Sequence, residues 1–132
     1  IVTAVASTIG LAMLFGVHQE TLLSLTPRSV TSPIAMGIAE QIGGIPSLAA
    51  GLVLLTGSIG CALGPGIFRL LKITDPAVQG FTMGLSAHGF GTAHSFTRLG
   101  AVAGAFSGLS MGLTGLLTAF LLPLITRLLG LN

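Results

Sequence analysis

The sequence has no tryptophan, no tyrosine, a single cysteine and very little charge. Charged residues make up 6% of its 132 positions, against about 25% in soluble domains. A water-soluble domain needs a polar skin, and five basic plus three acidic residues cannot supply one. The missing Trp and Tyr remove the aromatic belt that usually marks where a span meets lipid headgroups. One cysteine, Cys61, excludes an intrachain disulfide and any CxxC or zinc pattern, and in an apolar run it reads as a small buried packing residue. The net charge is only +2 and no basic stripe alternates with aromatics, so no nucleic-acid partner is expected. HExxH and P-loop patterns are missing, and Asp75 stands in sequence far from the histidines. No enzyme and no cofactor are expected.

What the chain does have is long uncharged runs. Glu40 and Arg69 are separated by 28 uncharged residues, Asp75 and Arg98 by 22, and Arg98 and Arg127 by 28. A helix needs about 20 predominantly apolar residues to cross a bilayer. The mean hydropathy of +1.00 agrees. The expected fold is all-α and integral to the membrane, a polytopic helical bundle read as one transmembrane domain over 1–132. Spans are expected over 1–17, 46–71 and 104–129. His18–Thr26 reads as a polar turn and Lys72–Gln79 as a short polar loop. Residues 27–44 and 80–96 are interrupted segments, broken or re-entrant. The first carries two prolines, hydroxyls and a Gly43–Gly44 stop; the second has Gly80, Gly84, Gly89 and Gly91 among Ser, Thr and His. The chain begins inside an apolar segment without a basic leader, which reads as the carboxy-terminal part of a longer protein and not as a signal peptide.

The two long helices echo each other at an offset of 58 residues. Leu55-Thr56-Gly57, Pro65 and Arg69-Leu70-Leu71 match Leu113-Thr114-Gly115, Pro123 and Arg127-Leu128-Leu129. Each follows an interrupted segment, so the chain reads as two copies of one unit, a pattern found in secondary transporters. Arg69, Lys72 and Arg127 close the long helices, and the positive-inside tendency puts both ends in the cytoplasm. Both interrupted segments then cross; if they dip and return instead, the long helices are antiparallel. Gly100, Gly104, Gly108 and Gly112 recur every four residues and predict a helix-packing face.

Lipid cannot hydrogen-bond to backbone, so broken helices at membrane depth line cavities or lie buried in protein. Pro27 and Pro33 are the expected helix breaks, with Pro33 freeing a carbonyl near Ser29. Free N–H groups at a half-helix start attract anions, and Arg28, Ser29, Thr31 and Ser32 stand beside one. Glu40 has the simpler role of an interfacial charge reaching to headgroups. In the second segment His88, Gly89, Gly91 and Thr92 are the candidates, because an ionisable residue at membrane depth is functional by default. His88 suits carboxylate binding, proton relay or a packing hydrogen bond. His88 and His94 do not share a helical face and no third ligand is near, so no metal is expected.

Leu25-Thr26-Pro27-Arg28-Ser29-Val30-Thr31-Ser32-Pro33-Ile34-Ala35 resembles the signature of the LrgB/CidB membrane family. Gly43-Gly44-Ile45-Pro46, Leu63-Gly64-Pro65, Ala87-His88-Gly89-Phe90-Gly91-Thr92-Ala93 and Gly104-Ala105-Phe106-Ser107-Gly108-Leu109 continue the match in order. The resemblance implies a multi-pass protein of the bacterial inner membrane, beside a holin-like partner of the LrgA/CidA type. Related plant proteins of the chloroplast envelope carry glycolate and glycerate. The leading expectation is a transporter or exporter of small carboxylates, and a homo-oligomer, with Arg28, Ser29, Thr31, Ser32, His88, Gly89, Gly91 and Thr92 binding substrate. The alternative is an antiholin-like regulator of murein hydrolase export and lysis. Arg28 replaces the commoner lysine, and His94 stands where many relatives have arginine.

Overall fold

Helix start and stop signals divide the described residues into six α-helices and one π-helical turn. The computed structural model describes residues 1–131, and no strand occurs among them. Helix α1 covers Val2–Leu14, α2 Gln19–Leu25, α3 Ser32–Ile42, α4 Pro46–Leu70, α5 Pro76–His94 and α6 Ala101–Leu128; the π-helical turn is Ser95–Leu99.

Each boundary has a local cause. Gly16, at φ 63°, ends α1 after 13 residues. Within the segment expected as a span over 1–17, the described helix covers 13 residues. His18–Thr26, expected as a polar turn, contains the seven-residue α2. Its Leu22 and Leu23 are buried, and that packing outweighs the local polarity. Thr31 is the N-cap of α3 and Pro33 lies in its first turn. Pro33 therefore starts a helix and does not break one, because its missing N–H would be unpaired there anyway. Gly43 closes α3 in the left-handed conformation at φ 85°, and Gly44 N–H donates to the Ala39 carbonyl at 2.7 Å. The Asp75 carboxylate accepts from Ala77 and Val78 N–H at 2.8 and 3.1 Å, so α5 begins at Pro76, inside the loop expected over Lys72–Gln79. Gly100, at φ 100° and ψ 174°, caps the π-helical turn. It lies outside α6, so it belongs to no helix face with Gly104, Gly108 and Gly112.

The chain forms two units. The first holds residues 1–53 and the segment from Gly115 onward; the second holds Leu54–Thr114. In the first, Val5 and Ala12 of α1, Leu22 and Leu23 of α2, Ile38 and Ile42 of α3 and Leu122 of α6 form one apolar cluster. A second cluster joins Val30, Ala35, Ala39, Ala49 and Val53. In the second unit Phe68, Met83 and Ala87 form the core.

Helices α4 and α6 are long and apolar enough to cross a membrane, by length and composition. Their 25 and 28 residues rise about 37 and 42 Å, against a hydrocarbon core of about 30 Å. Only 17% and 33% of their most apolar windows are buried within the chain. A soluble protein's core helix would be buried; these present Leu54, Leu55, Ile59 and Leu63, and Leu113, Leu116, Leu117 and Phe120, outward. Outward apolar surface of this kind marks a face for contact with a membrane or another protein.

Candidate functional site

In the second unit the helical run Pro76–His94 is broken at His88, which has φ 49° and ψ −124°. These angles match the first central position of a type II′ turn, a place glycine normally fills. The chain bends sharply there. A Cβ on Gly91 would collide with the Met83 carbonyl oxygen and press on the Ala87 side chain. In a straight helix residues 83 and 91 would stand about 12 Å apart along the axis.

Glycines let other backbones close around this bend. A Cβ on Gly57 would sit 3.2 Å from the Ala87 oxygen and 3.6 Å from His88 Nδ1; one on Gly60 would sit 2.8 Å from the Ser86 oxygen. Gly64 instead faces the flexible Met83 side chain, with Sδ 2.5 Å from where a Cβ would stand. From the other side a Cβ on Gly80 would strike the Ala103 carbonyl, and one on Gly84 the Ser107 carbonyl and the Ser110 hydroxyl. The expected packing stripe behaves differently: Gly104 meets Phe96, while Gly108 and Gly112 have open space beside them. In the second unit the glycines that admit backbone are thus Gly57, Gly60, Gly80, Gly84 and Gly91. Spacings of three and four residues from Gly57 to Gly64 and from Gly80 to Gly84 were the signal available for them.

His88 is buried. The Thr92 hydroxyl donates to the His88 carbonyl at 2.9 Å and lies 3.0 Å from Ser107 Oγ, which ties the second half of α5 to α6. Gly89 has open space beside it. Cys61 is half-buried, with Sγ 3.7 Å from the Phe90 carbonyl that accepts from it.

The other candidates lie in the first unit. Arg28 is half-buried, and its Nε is buried with no hydrogen-bond partner. It lines a cavity of about 180 Å³ with Thr8, Leu11, Ala12, Phe15 and Leu25. Ser29, Thr31 and Ser32 are not among the cavity's lining residues, and Thr31 caps α3 without a side-chain hydrogen bond. Pro27 is fully buried, and Glu40 is exposed. A guanidinium in an apolar cavity beside one hydroxyl, Thr8, can bind a small anion through charge-assisted hydrogen bonds. No group of three or more His, Cys, Asp or Glu side chains could hold a metal among the described residues.

Comparison with known proteins gives a consistent result. The model of the LrgB-like family matches residues 1–128. The chain is 39% identical to "Uncharacterized protein YwbG" of Bacillus subtilis over 91% of its length and 53% of that protein's. It is 31% identical to "Holin-like protein CidB" of Staphylococcus epidermidis, over 87% of its length and 50% of the relative's. For "Holin-like protein CidB" of Staphylococcus aureus the identity is 30%, over 86% and 49%. The chain thus spans about half the length of the curated relatives it matches. No solved structure matches it.

Proposed function

The chain belongs to the LrgB-like family, and from that premise we propose that it is part of a holin-like, multi-pass protein of the bacterial cytoplasmic membrane. It acts with a small holin-like membrane partner to regulate murein hydrolase export and cell lysis. The observation that carries this reading is the similarity to two proteins named holin-like over 86–87% of the chain. The exposed apolar faces of α4 and α6, and the open space at Gly108 and Gly112, support association inside a bilayer, with a partner or a second copy. Deleting the gene for the full-length protein should change the murein hydrolase pattern on zymograms and the rate of autolysis. A small holin-like protein should also co-purify with it in mild detergent. Unchanged zymograms and lysis would sink the proposal.

A second reading is transport of small carboxylates such as glycolate, glycerate or pyruvate. Arg28 favours it, with a buried Nε lacking a partner and an apolar cavity beside it. In this reading 27–44 and 80–96 are the interrupted membrane segments of two repeated units. The hydroxyls of Ser29, Thr31, Ser32 and Thr92, the glycines Gly89 and Gly91, and His88 complete the substrate path. Proteoliposomes of the full-length protein should take up a labelled carboxylate, and Arg28→Gln should lower uptake at least tenfold. Uptake no greater than in empty vesicles for all three acids rules this reading out.

A further inference from the structure

We propose that the end of α4 in the second unit is a binding site for the phosphodiester headgroup of an anionic phospholipid. A cavity of about 500 Å³ opens there, lined on its apolar side by Pro65, Phe68, Ile73 and Leu99. Arg69 and Lys72 line it as well, with Thr74 and Gln79 as the neutral polar groups. No carboxylate is among the lining residues.

The backbone presents the two cations in a fixed way. The last turn of α4 closes with Ile73 N–H donating to the Phe68 carbonyl at 2.9 Å and Lys72 N–H to the Arg69 carbonyl at 3.3 Å. This is the closing pattern in which glycine usually takes the left-handed position. Here Lys72 takes it, at φ 55°. A lysine in that conformation carries strain that glycine would avoid, and such strain collects at functional sites. Arg69 Nε donates to the Pro65 carbonyl at 3.3 Å, which pins the stem of the guanidinium. Gln79 Nε2 donates to the Ile73 carbonyl at 2.7 Å and holds the loop below. Asp75, the carboxylate nearest in sequence, accepts from Ala77 and Val78 at the start of α5. Neither cation has a carboxylate within ion-pair distance among the described residues.

The surroundings select a lipid over a free anion. Leu63, Ile67 and Leu70 are 57%, 48% and 80% exposed, at spacings of four and three residues that put them on one face of α4. Acyl chains can lie along that face while the phosphate meets Arg69 and Lys72. Helix α4 exceeds the hydrocarbon thickness, so its last turn can reach headgroup level. Basic pockets at such helix ends bind anionic headgroups. This inference goes beyond the proposed function and does not depend on it.

Native mass spectrometry of the full-length protein, released from mixed phosphatidylglycerol and phosphatidylcholine nanodiscs, tests it. The expected spectrum retains one phosphatidylglycerol and no phosphatidylcholine. The double variant Arg69→Gln with Lys72→Gln should retain at least tenfold less, while Arg127→Gln, at the end of α6, should retain as much as the parent. Millimolar inorganic phosphate should neither bind nor displace the lipid. Equal retention of both lipids by the unaltered protein, a result that needs no variant to fold, overturns the proposal. So does full retention by the folded double variant, or displacement by inorganic phosphate.

Discussion

The segments that lead into α4 and α6 turn the chain with different chemistry. In the first, α2 and α3 are joined by a turn, Gly43 follows at φ 85°, and α4 begins. In the second, the two halves of α5 meet at His88, the π-helical turn follows, Gly100 stands at φ 100°, and α6 begins. Each long helix has a proline five residues before its end and an arginine in its last turn. The first turn is held by side-chain hydrogen bonds and one close glycine: Ser24 Oγ accepts from Ile45 N–H at 2.7 Å and donates to the Glu20 carbonyl at 2.6 Å, and a Cβ on Gly44 would sit 2.9 Å from Ser24 N. The second relies mainly on glycines pressed against carbonyl oxygens, with the Thr92 hydroxyl bonding beside them. The balance between hydrogen bonds and close backbone approach thus differs between the two turns.

The sharpest test of that contrast is Gly84→Ala. The new methyl would meet the backbone oxygen of Ser107 and the Ser110 hydroxyl. A carbonyl inside a helix cannot swing aside as a flexible side chain can. A loss of about 3 kcal/mol is expected, at the upper end for overpacking. It would appear as a much lower midpoint of thermal unfolding in detergent. An unchanged midpoint would mean that α5 and α6 pack less closely than the structure shows.

Ser24→Ala probes the first unit by removing an acceptor. It leaves Ile45 N–H and the Glu20 carbonyl each short of one bond. The cost should be about 1 to 2 kcal/mol, because Ile45 is partly exposed and recovers some solvation. Ser24→Thr keeps the oxygen and should recover most of that loss if the added methyl is accommodated. A cost from Ser24→Ala equal to that of Gly84→Ala would erase the distinction between the two turns.

The helical segments were legible in the sequence because charge is so sparse. The structure's α4 and α6 run over Pro46–Leu70 and Ala101–Leu128, against expectations of 46–71 and 104–129. The turn at His88 was legible only as a neighbourhood. Glycine is the residue that local physics assigns to a positive φ, and Gly89 and Gly91 stand beside the bend, yet the positive φ falls on His88. The packing glycines were half legible: spacing identifies a face, but it does not say what approaches it. Gly80 and Gly84 follow the same four-residue rule as Gly104 and Gly108, and only the first pair meets backbone. Arg28 was readable as a candidate from its charge alone, whereas its cavity is made by Thr8 and Leu11 of α1 and by Phe15 just after it, 13 to 20 positions away in sequence.

Comparing His88→Gly with His88→Ala isolates the backbone at the second turn. Both variants lose the buried imidazole, and they differ in whether a Cβ must tolerate φ 49°. The glycine variant should be the more stable by about 1 kcal/mol, the scale of the left-handed penalty. Measured midpoints in the reverse order would show that the bend is not under local strain. If both variants fold and lysis control or carboxylate uptake fails in each, the imidazole itself is the functional group.

The smallest stability effect is expected at Gly108, which sits in α6 among the glycines the spacing selects but has nothing within 4 Å of an added Cβ. Ala has the higher helix propensity, so Gly108→Ala should be neutral or stabilise by about 0.5 kcal/mol. That is opposite in sign to Gly84→Ala, although both change a glycine of the second unit. Gly108→Leu extends the same logic outward. Its bulk should leave the thermal midpoint of the isolated protein nearly unchanged and weaken any association that uses this face. Cross-linking of the full-length protein in membranes reads that association directly. If the leucine variant instead unfolds the protein as Gly84→Ala does, this part of α6 is packed against its own chain, and the open face offered to a partner is lost.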